Sequence, residues 1–148
     1  MKKIFVALFL AILCTCVLVL AEERSNQSAN LTERVNLIDL AQQESTDTKA
    51  GLNITQVASG KNASVNLVMG PPGSILKMHY HRYHDEITYC IEGQAAMNVS
   101  GQELMVKVGD LMYIPALMLH GSEVTGNETL QLISIFTPPF DGKDRIYV

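Results

Sequence analysis

Cysteine is scarce: Cys14, Cys16 and Cys90 are the only three in 148 residues, and two of them sit inside the single long apolar run. That run, Ile4 to Leu20, is interrupted only by Thr15 and those two cysteines, follows Lys2 and Lys3, and ends at Ala21 before Glu22 and Glu23. Such a layout is that of an export signal. Cleavage after Ala21, with Val19 two places before it, satisfies the small-residue rule. The run also reaches the lower limit of a bilayer span, so an uncleaved membrane anchor over residues 4–20 is the alternative. The triplets before Cys14 and Cys16, Ala-Ile-Leu and Leu-Cys-Thr, form no lipobox. With residues 1–21 removed, Cys90 stands alone, which excludes an internal disulfide in a compartment that permits them.

Positive charge is also short. Removing residues 1–21 takes two lysines and no acids, leaving nine basic side chains against fifteen acidic and a net charge of −6. That balance excludes nucleic acid as a natural partner. The length allows one domain and no second. A long apolar stripe of helical period is missing from Gly51 onward, which argues against a helical fold there.

Short alternating segments stand there instead. LNITQV, SVNLVM, ILKMHYH, EITYCI, AAMNVS, ELMVKV, LMYIP, LHGSEV and LQLISIF are separated by SGKN, GPPG, EGQ, GQ, GD and TGNE. Many short strands at about ten-residue spacing indicate an antiparallel sandwich or barrel. Methionines at 69, 78, 97, 105, 112 and 118 read as adaptable core filling. Upstream, residues 22–34 form a polar stalk rich in Ser, Asn and Gln. RVNLIDLAQ reads as a short strand or a helical turn, and ESTDTKA as another polar break, within a domain spanning 35–148. Six Asn-x-Ser/Thr triplets begin at Asn26, Asn30, Asn53, Asn62, Asn98 and Asn127. They are glycan acceptors in an exported protein, or the by-product of an Asn- and Ser-rich surface.

Histidine is rare as well, yet three of four fall in HYHRYHDEITYCIEG, residues 79–93. Strand residues two apart share a face, so His79 and His81 project together while Tyr80 points away. Glu86 adds a carboxylate after the turn RYHD, and His120 opens a later strand that a barrel can bring close. Three imidazoles and one carboxylate suit Zn, Fe, Mn, Ni or Cu and leave two positions open on a six-coordinate ion. The competing reading is a polar surface strand with incidental histidines.

Gly73, His79, His81, Glu86 and Gly93, at intervening spacings of five, one, four and six residues, resemble the first motif of the cupins. Gly109, Pro115 and His120 in GDLMYIPALMLHG resemble the second, and the likeness spans roughly residues 60–136. It implies a small antiparallel β-barrel of jelly-roll (double-stranded β-helix) type, with a divalent transition metal held by His79, His81, Glu86 and His120. Two positions depart from the pattern. Leu117 and Val124 replace a usual glycine and a usual asparagine, and Leu117 implies a different backbone before His120, since leucine disfavours positive φ. His84, outside the motif, is read as exposed or supporting, with a ligand or proton-transfer role as the alternative; Asp85 is a second supporting candidate. Strict alternation from Glu86 turns Thr88 and Cys90 inward onto the cavity wall; Cys90 is read as a small apolar residue of the packed interior, with a thiol that coordinates or is oxidised near the metal as the alternative. The tail FTPPFDGKDRIYV is expected to cross the barrel surface or a neighbouring subunit, with Arg145 and Tyr147 mainly solvated. The four ligands do not select a reaction, so two functions stand. One is an exported metalloenzyme of dioxygenase, decarboxylase or isomerase type acting on a small molecule; the other is a non-catalytic cell-surface module binding a sugar or other small ligand. The resemblance also makes a homodimer the expected assembly.

Overall fold

A computed structural model of the chain describes residues 34–43 and 51–148. The signal or anchor read over residues 1–21, nearly all of the stalk, and the sequons at Asn26 and Asn30 lie outside those residues. No helix among the described residues is long and apolar enough to cross a membrane.

RVNLIDLAQ contains a short helix, α1 (Leu37–Gln43). Asn36 caps it, its side-chain oxygen accepting from the N–H groups of Ile38 at 3.0 Å and Asp39 at 3.4 Å, which satisfies donors that the first turn leaves without partners. Nine strands then form where the alternating segments stand. They are β1 (Asn53–Ser59), β2 (Ser64–Gly70), β3 (Ile75–Tyr80), β4 (Asp85–Glu92), β5 (Gln94–Val99), β6 (Gln102–Lys107), β7 (Leu111–Ile114), β8 (His120–Thr125) and β9 (Leu130–Thr137). A tenth, β10 (Ile146–Tyr147), arises from the tail. The strands make two five-stranded sheets, ordered β1-β2-β9-β4-β7 and β10-β3-β8-β5-β6. Every pairing is antiparallel, and the expected all-β jelly-roll barrel is the observed architecture.

Side-chain alternation decides what each sheet turns inward. Along β4, Glu86, Thr88 and Cys90 are buried while Tyr89 is exposed; along β5, Ala95 and Met97 are buried while Gln94 and Ala96 are exposed. Cys90, Ala95, Met97, Val106, Ile114, Val124 and Leu130 form one apolar cluster between the sheets. Met69 and Met97 fill the interior as expected, whereas Met105 is exposed. Asn53, Asn62 and Asn127 are exposed and Asn98 is half-buried.

One irregularity matters for the site. Between β3 and β8, Leu76 faces Ser122 and His79 faces His120, so three steps on β3 oppose two on β8. This is a β-bulge, and it reverses the parity of β3 beyond it. Leu76 and His79, an odd number of residues apart, consequently line the same interior cavity. Gly121 makes the bulge possible. A Cβ there would stand 2.8 Å from Met78 Sδ, 2.9 Å from the Leu76 carbonyl oxygen and 3.0 Å from the Met78 nitrogen.

Candidate metal centre

His79 lies next to the end of β3 and His81 just past it, with both rings buried and Tyr80 between them. The bulged register sets His120, the first residue of β8, opposite His79. Ring centroids are 4.2 Å apart for His79 and His120, 5.1 Å for His79 and His81, and 5.5 Å for His81 and His120. One ring nitrogen from each of the three lies within 4.8 Å of the others. Glu86 reaches in from the facing sheet, its Oε2 3.5 Å from His81 Nε2 and 3.3 Å from His120 Nε2. All four residues that the motif spacing singled out therefore meet. Their exposures, 1% for His79 and His81, 2% for His120 and 8% for Glu86, leave water little part in solvating them.

The outer ring nitrogens settle the tautomers. His79 Nδ1 donates to the Lys77 carbonyl at 2.8 Å, His81 Nδ1 to the Asp144 carbonyl at 2.6 Å, and His120 Nδ1 to the Met118 carbonyl at 2.8 Å. A carbonyl oxygen only accepts, so each Nδ1 carries a proton, and Nε2 is the nitrogen each ring keeps for an inward partner. The Nε2 atoms of His81 and His120 are buried and make no well-formed hydrogen bond, despite standing near Glu86. Buried polar atoms without partners are costly. A metal ion accepting those lone pairs removes the cost, and histidines fixed at Nδ1 by carbonyls are the usual arrangement around one. The donor set, three imidazoles and a carboxylate, fits a divalent transition ion.

Electrostatics agree with that fit. Burial, then the neighbouring His120, pushes the His79 imidazole down to about 4, so the ring is neutral and ready to donate its lone pair at neutral pH. Burial pushes the Glu86 carboxyl up, but His120 and His81, with the Ser134 hydroxyl, outweigh it and hold it below the usual carboxylate range. With the Nδ1 protons committed to carbonyls, the positive partner Glu86 requires is an Nε2 proton or a metal ion.

His84 is buried rather than exposed, and it does not join the three-ring group. Its Nδ1 lies 2.6 Å from Asp144 Oδ2 and its Nε2 3.2 Å from the Pro139 carbonyl. Asp144 Oδ2 also accepts from the Tyr83 N–H at 2.8 Å. Asp144 thus holds His84 with its side chain and His81 with its backbone. Burial pushes its carboxyl up, and the Tyr83 N–H and His84 more than reverse that. Asp85 ties the start of β4 to the turn before His120, accepting from Ala116 N–H at 2.9 Å and from the Tyr113 hydroxyl at 2.7 Å.

Three expectations need correction. Leu117 does take the left-handed backbone, at φ 68°. Its turn is closed by Met118 N–H donating to the Pro115 carbonyl at 3.1 Å, and its own N–H donates to the His81 carbonyl at 2.7 Å, so hydrogen bonds override the side chain's preference. Cys90 points inward but belongs to the apolar cluster, about 13 Å along the strand from Glu86. Its thiol donates weakly to the Glu92 and Gly93 carbonyls at 3.5 and 3.6 Å, and burial pushes its pKa up. Finally, the tail is not merely solvated: β10 pairs with β3, Ile146 opposite Tyr80 and Tyr147 opposite His79. Arg145 lines the cavity beside His79, Glu86 and His120. Neither Asp144 nor Arg145 could be found from a pattern, since a two-residue strand has no periodicity to read.

The cavity is small, about 30 Å³ measured at the centres of water molecules. Its polar lining beyond His79, Glu86 and His120 is Thr88, Ser122, Ser134 and Arg145; the rest is apolar, including Val68, Leu76 and Leu132.

Residues 66–136 match the family described as Cupin domain. The chain is 34% identical over 86 residues to quercetin 2,3-dioxygenase of Bacillus subtilis (strain 168), covering 55% of this chain and 25% of that protein. It is 32% identical over 88 residues to an uncharacterized protein of Methanocaldococcus jannaschii, covering 60% of this chain and 70% of that one. The chain thus spans only a quarter of the length of the dioxygenase. A solved protein of Thermus thermophilus, TT1209, superposes with a TM-score of 0.65 at 20% identity, covering 74% of this chain and 100% of that one, a likeness of fold. Motif spacing, barrel and matches lead to one family, and the chain belongs to the cupins.

Proposed function

We propose that this protein is an exported, metal-dependent cupin in which His79, His81, Glu86 and His120 hold a divalent transition ion, and that it acts on a small molecule. The observation that carries the reading is the set of three gathered imidazoles whose Nδ1 protons are all given to carbonyls, which reserves Nε2 of each ring for an ion beside Glu86. A bound ion would supply Lewis acidity and, if iron, copper or manganese, one-electron chemistry. The protein's own share is to orient the ligands, exclude bulk water and present an apolar wall. Reaction classes compatible with this centre are dioxygenation, decarboxylation and isomerisation. The similarity to quercetin 2,3-dioxygenase supports the first, while the small size of the cavity favours a substrate smaller than a flavonoid. The second reading, a cell-surface module that binds a small ligand without turnover, is favoured by the cavity's polar lining. Outside the four central residues it holds hydroxyls and one guanidinium but no second carboxylate or imidazole to move a proton.

Metal analysis of the protein purified from its producing cell tests the reading. We expect close to one equivalent of a transition ion, and its loss in His81→Ala. A protein without metal that gains no thermal stability from added Fe, Mn, Ni, Zn or Cu would end the metal proposal. Oxygen uptake and product analysis with small-molecule panels then separate enzyme from binding module. Export is tested by the N-terminus of the mature protein: Glu22 for cleavage after Ala21, Met1 for an anchor. Sedimentation tests the homodimer.

A further inference from the structure

Arg145 occupies an unusual position for a cation. It lines the same cavity as His79, Glu86 and His120, yet makes no ion pair with any carboxylate among the described residues. Its Nε is buried and has no hydrogen-bond partner. A guanidinium keeps its charge at any accessible pH and offers donors only, so a buried N–H of this group without an acceptor is costly. Glu86 is the one carboxylate on the cavity wall, and it leans instead toward His81 and His120.

The side chain is nevertheless held in place. Its Cζ lies 5.5 Å from the centroid of the Phe140 ring, a cation–π distance. Phe140 stacks on Phe136 at 4.8 Å and 24°, and Phe136 lines the cavity. Pairing of Ile146 with Tyr80 fixes the backbone immediately after Arg145. A held guanidinium with a missing acceptor, in the cavity that His79 and His120 also line, describes half of a site for an anion that would bridge the cation and a bound metal.

We propose that Arg145 is the anion-recognition residue of this centre and that the ligand is a short-chain carboxylate. One carboxylate oxygen would accept from the Arg145 Nε–H, leaving the molecule's other oxygen available to an ion held by the histidines. The proposal rests on the metal reading for its second contact, but the first belongs to Arg145 alone. Charge supports it: a divalent ion, Glu86 and Arg145 leave the cavity two positive charges in excess, which favours an anion over a neutral sugar. Apolar neighbours such as Val68, Leu76 and Leu132 strengthen that attraction by excluding water.

The test uses the purified full chain, loaded with Co²⁺ and titrated with acetate, glycolate and pyruvate while the visible spectrum of the ion is followed. Acetamide and glycolamide serve as neutral counterparts. The carboxylates should give saturable spectral changes that the amides do not give. In Arg145→Met, which keeps the apolar stem, the carboxylate Kd should rise roughly 10- to 100-fold, the loss expected for one charged hydrogen bond. Arg145→Lys, which keeps the charge but not the Nε geometry, should lie between, and Co²⁺ should bind both variants with near wild-type affinity. Equal carboxylate affinity in the wild type and in either natively folded variant overturns the proposal, as does acetamide binding as tightly as acetate. If the chain takes up no Co²⁺, the metal reading fails and Arg145 is judged on the metal-free protein. There carboxylates must still raise the melting temperature of the wild type and not of Arg145→Met; absence of that difference overturns this proposal too.

Discussion

Leu117 is held at φ 68°, immediately before Met118, whose carbonyl orients His120. The left-handed region costs an L side chain about 1–2 kcal/mol, and glycine gives back about 0.5–1 kcal/mol of that through its freer unfolded chain. Because the Leu117 side chain is exposed, little burial is lost on removing it. Leu117→Gly is therefore expected to raise unfolding free energy by roughly 0.5–1 kcal/mol in urea titrations; a destabilised variant would show that the side chain has a contact this account omits. His79 supports a prediction about pH. Its imidazole is pushed from 6.5 down to about 4 in the fold, so between these values the unfolded chain binds the proton and the native one does not. Stability is full above about pH 6.5 and is lost as pH falls toward 4. Denaturant melts of metal-free protein at stepped pH should show that slope, and His79→Gln should flatten it. The four central residues were legible because strand alternation and motif spacing are local properties of the chain. Leucine's φ was not, because hydrogen bonds from Leu117 and Met118 decide it against the residue's own preference.

Elements carry the geometry that residues alone do not. The bulge in β3 brings Leu76 and His79 to one face, and Gly121 leaves the space it needs. The tail is the second case. Asp144 supplies the carbonyl for His81 and the carboxylate for His84, and β10 binds the tail to the ligand strand. Removing residues 141–148 should weaken metal binding by roughly 10- to 100-fold, the usual effect of losing a ligand's hydrogen-bonding support. Asp144→Asn keeps the backbone carbonyl and should lose less. Competition with a chromogenic chelator measures both, and an undiminished affinity in the truncated chain would remove the tail from the site. Nine strands were readable from alternation and turn residues. The tenth was not, since two residues show no period; alternation turned Cys90 into the packed interior as read, and the distance along β4 puts it in the apolar end rather than on the cavity wall.

At the scale of the molecule, two sheets press charged and imidazole groups into a space that water scarcely enters, and the fold bears that cost unless an ion relieves it. An ion binding only the native state at a hundred times its Kd adds about 2.7 kcal/mol. Adding the native metal should therefore raise the melting temperature by several degrees, with a chelator reversing the rise and His120→Ala abolishing it; a melting temperature indifferent to metal in the wild type would contradict the arrangement. What the sequence by itself determined is the all-β class and the positions of nine strands, because periodicity is written along the chain; the four residues of the centre followed from the spacing shared with the cupin motifs. Only the tertiary structure decided the bulged register that sets His79 against His120, the direction of the Nδ1 protons, and the return of the tail that delivers Asp144 and Arg145. Those depend on which distant backbones pair, and pairing is settled by packing and hydrogen-bond satisfaction across the whole barrel rather than by any stretch of neighbouring residues.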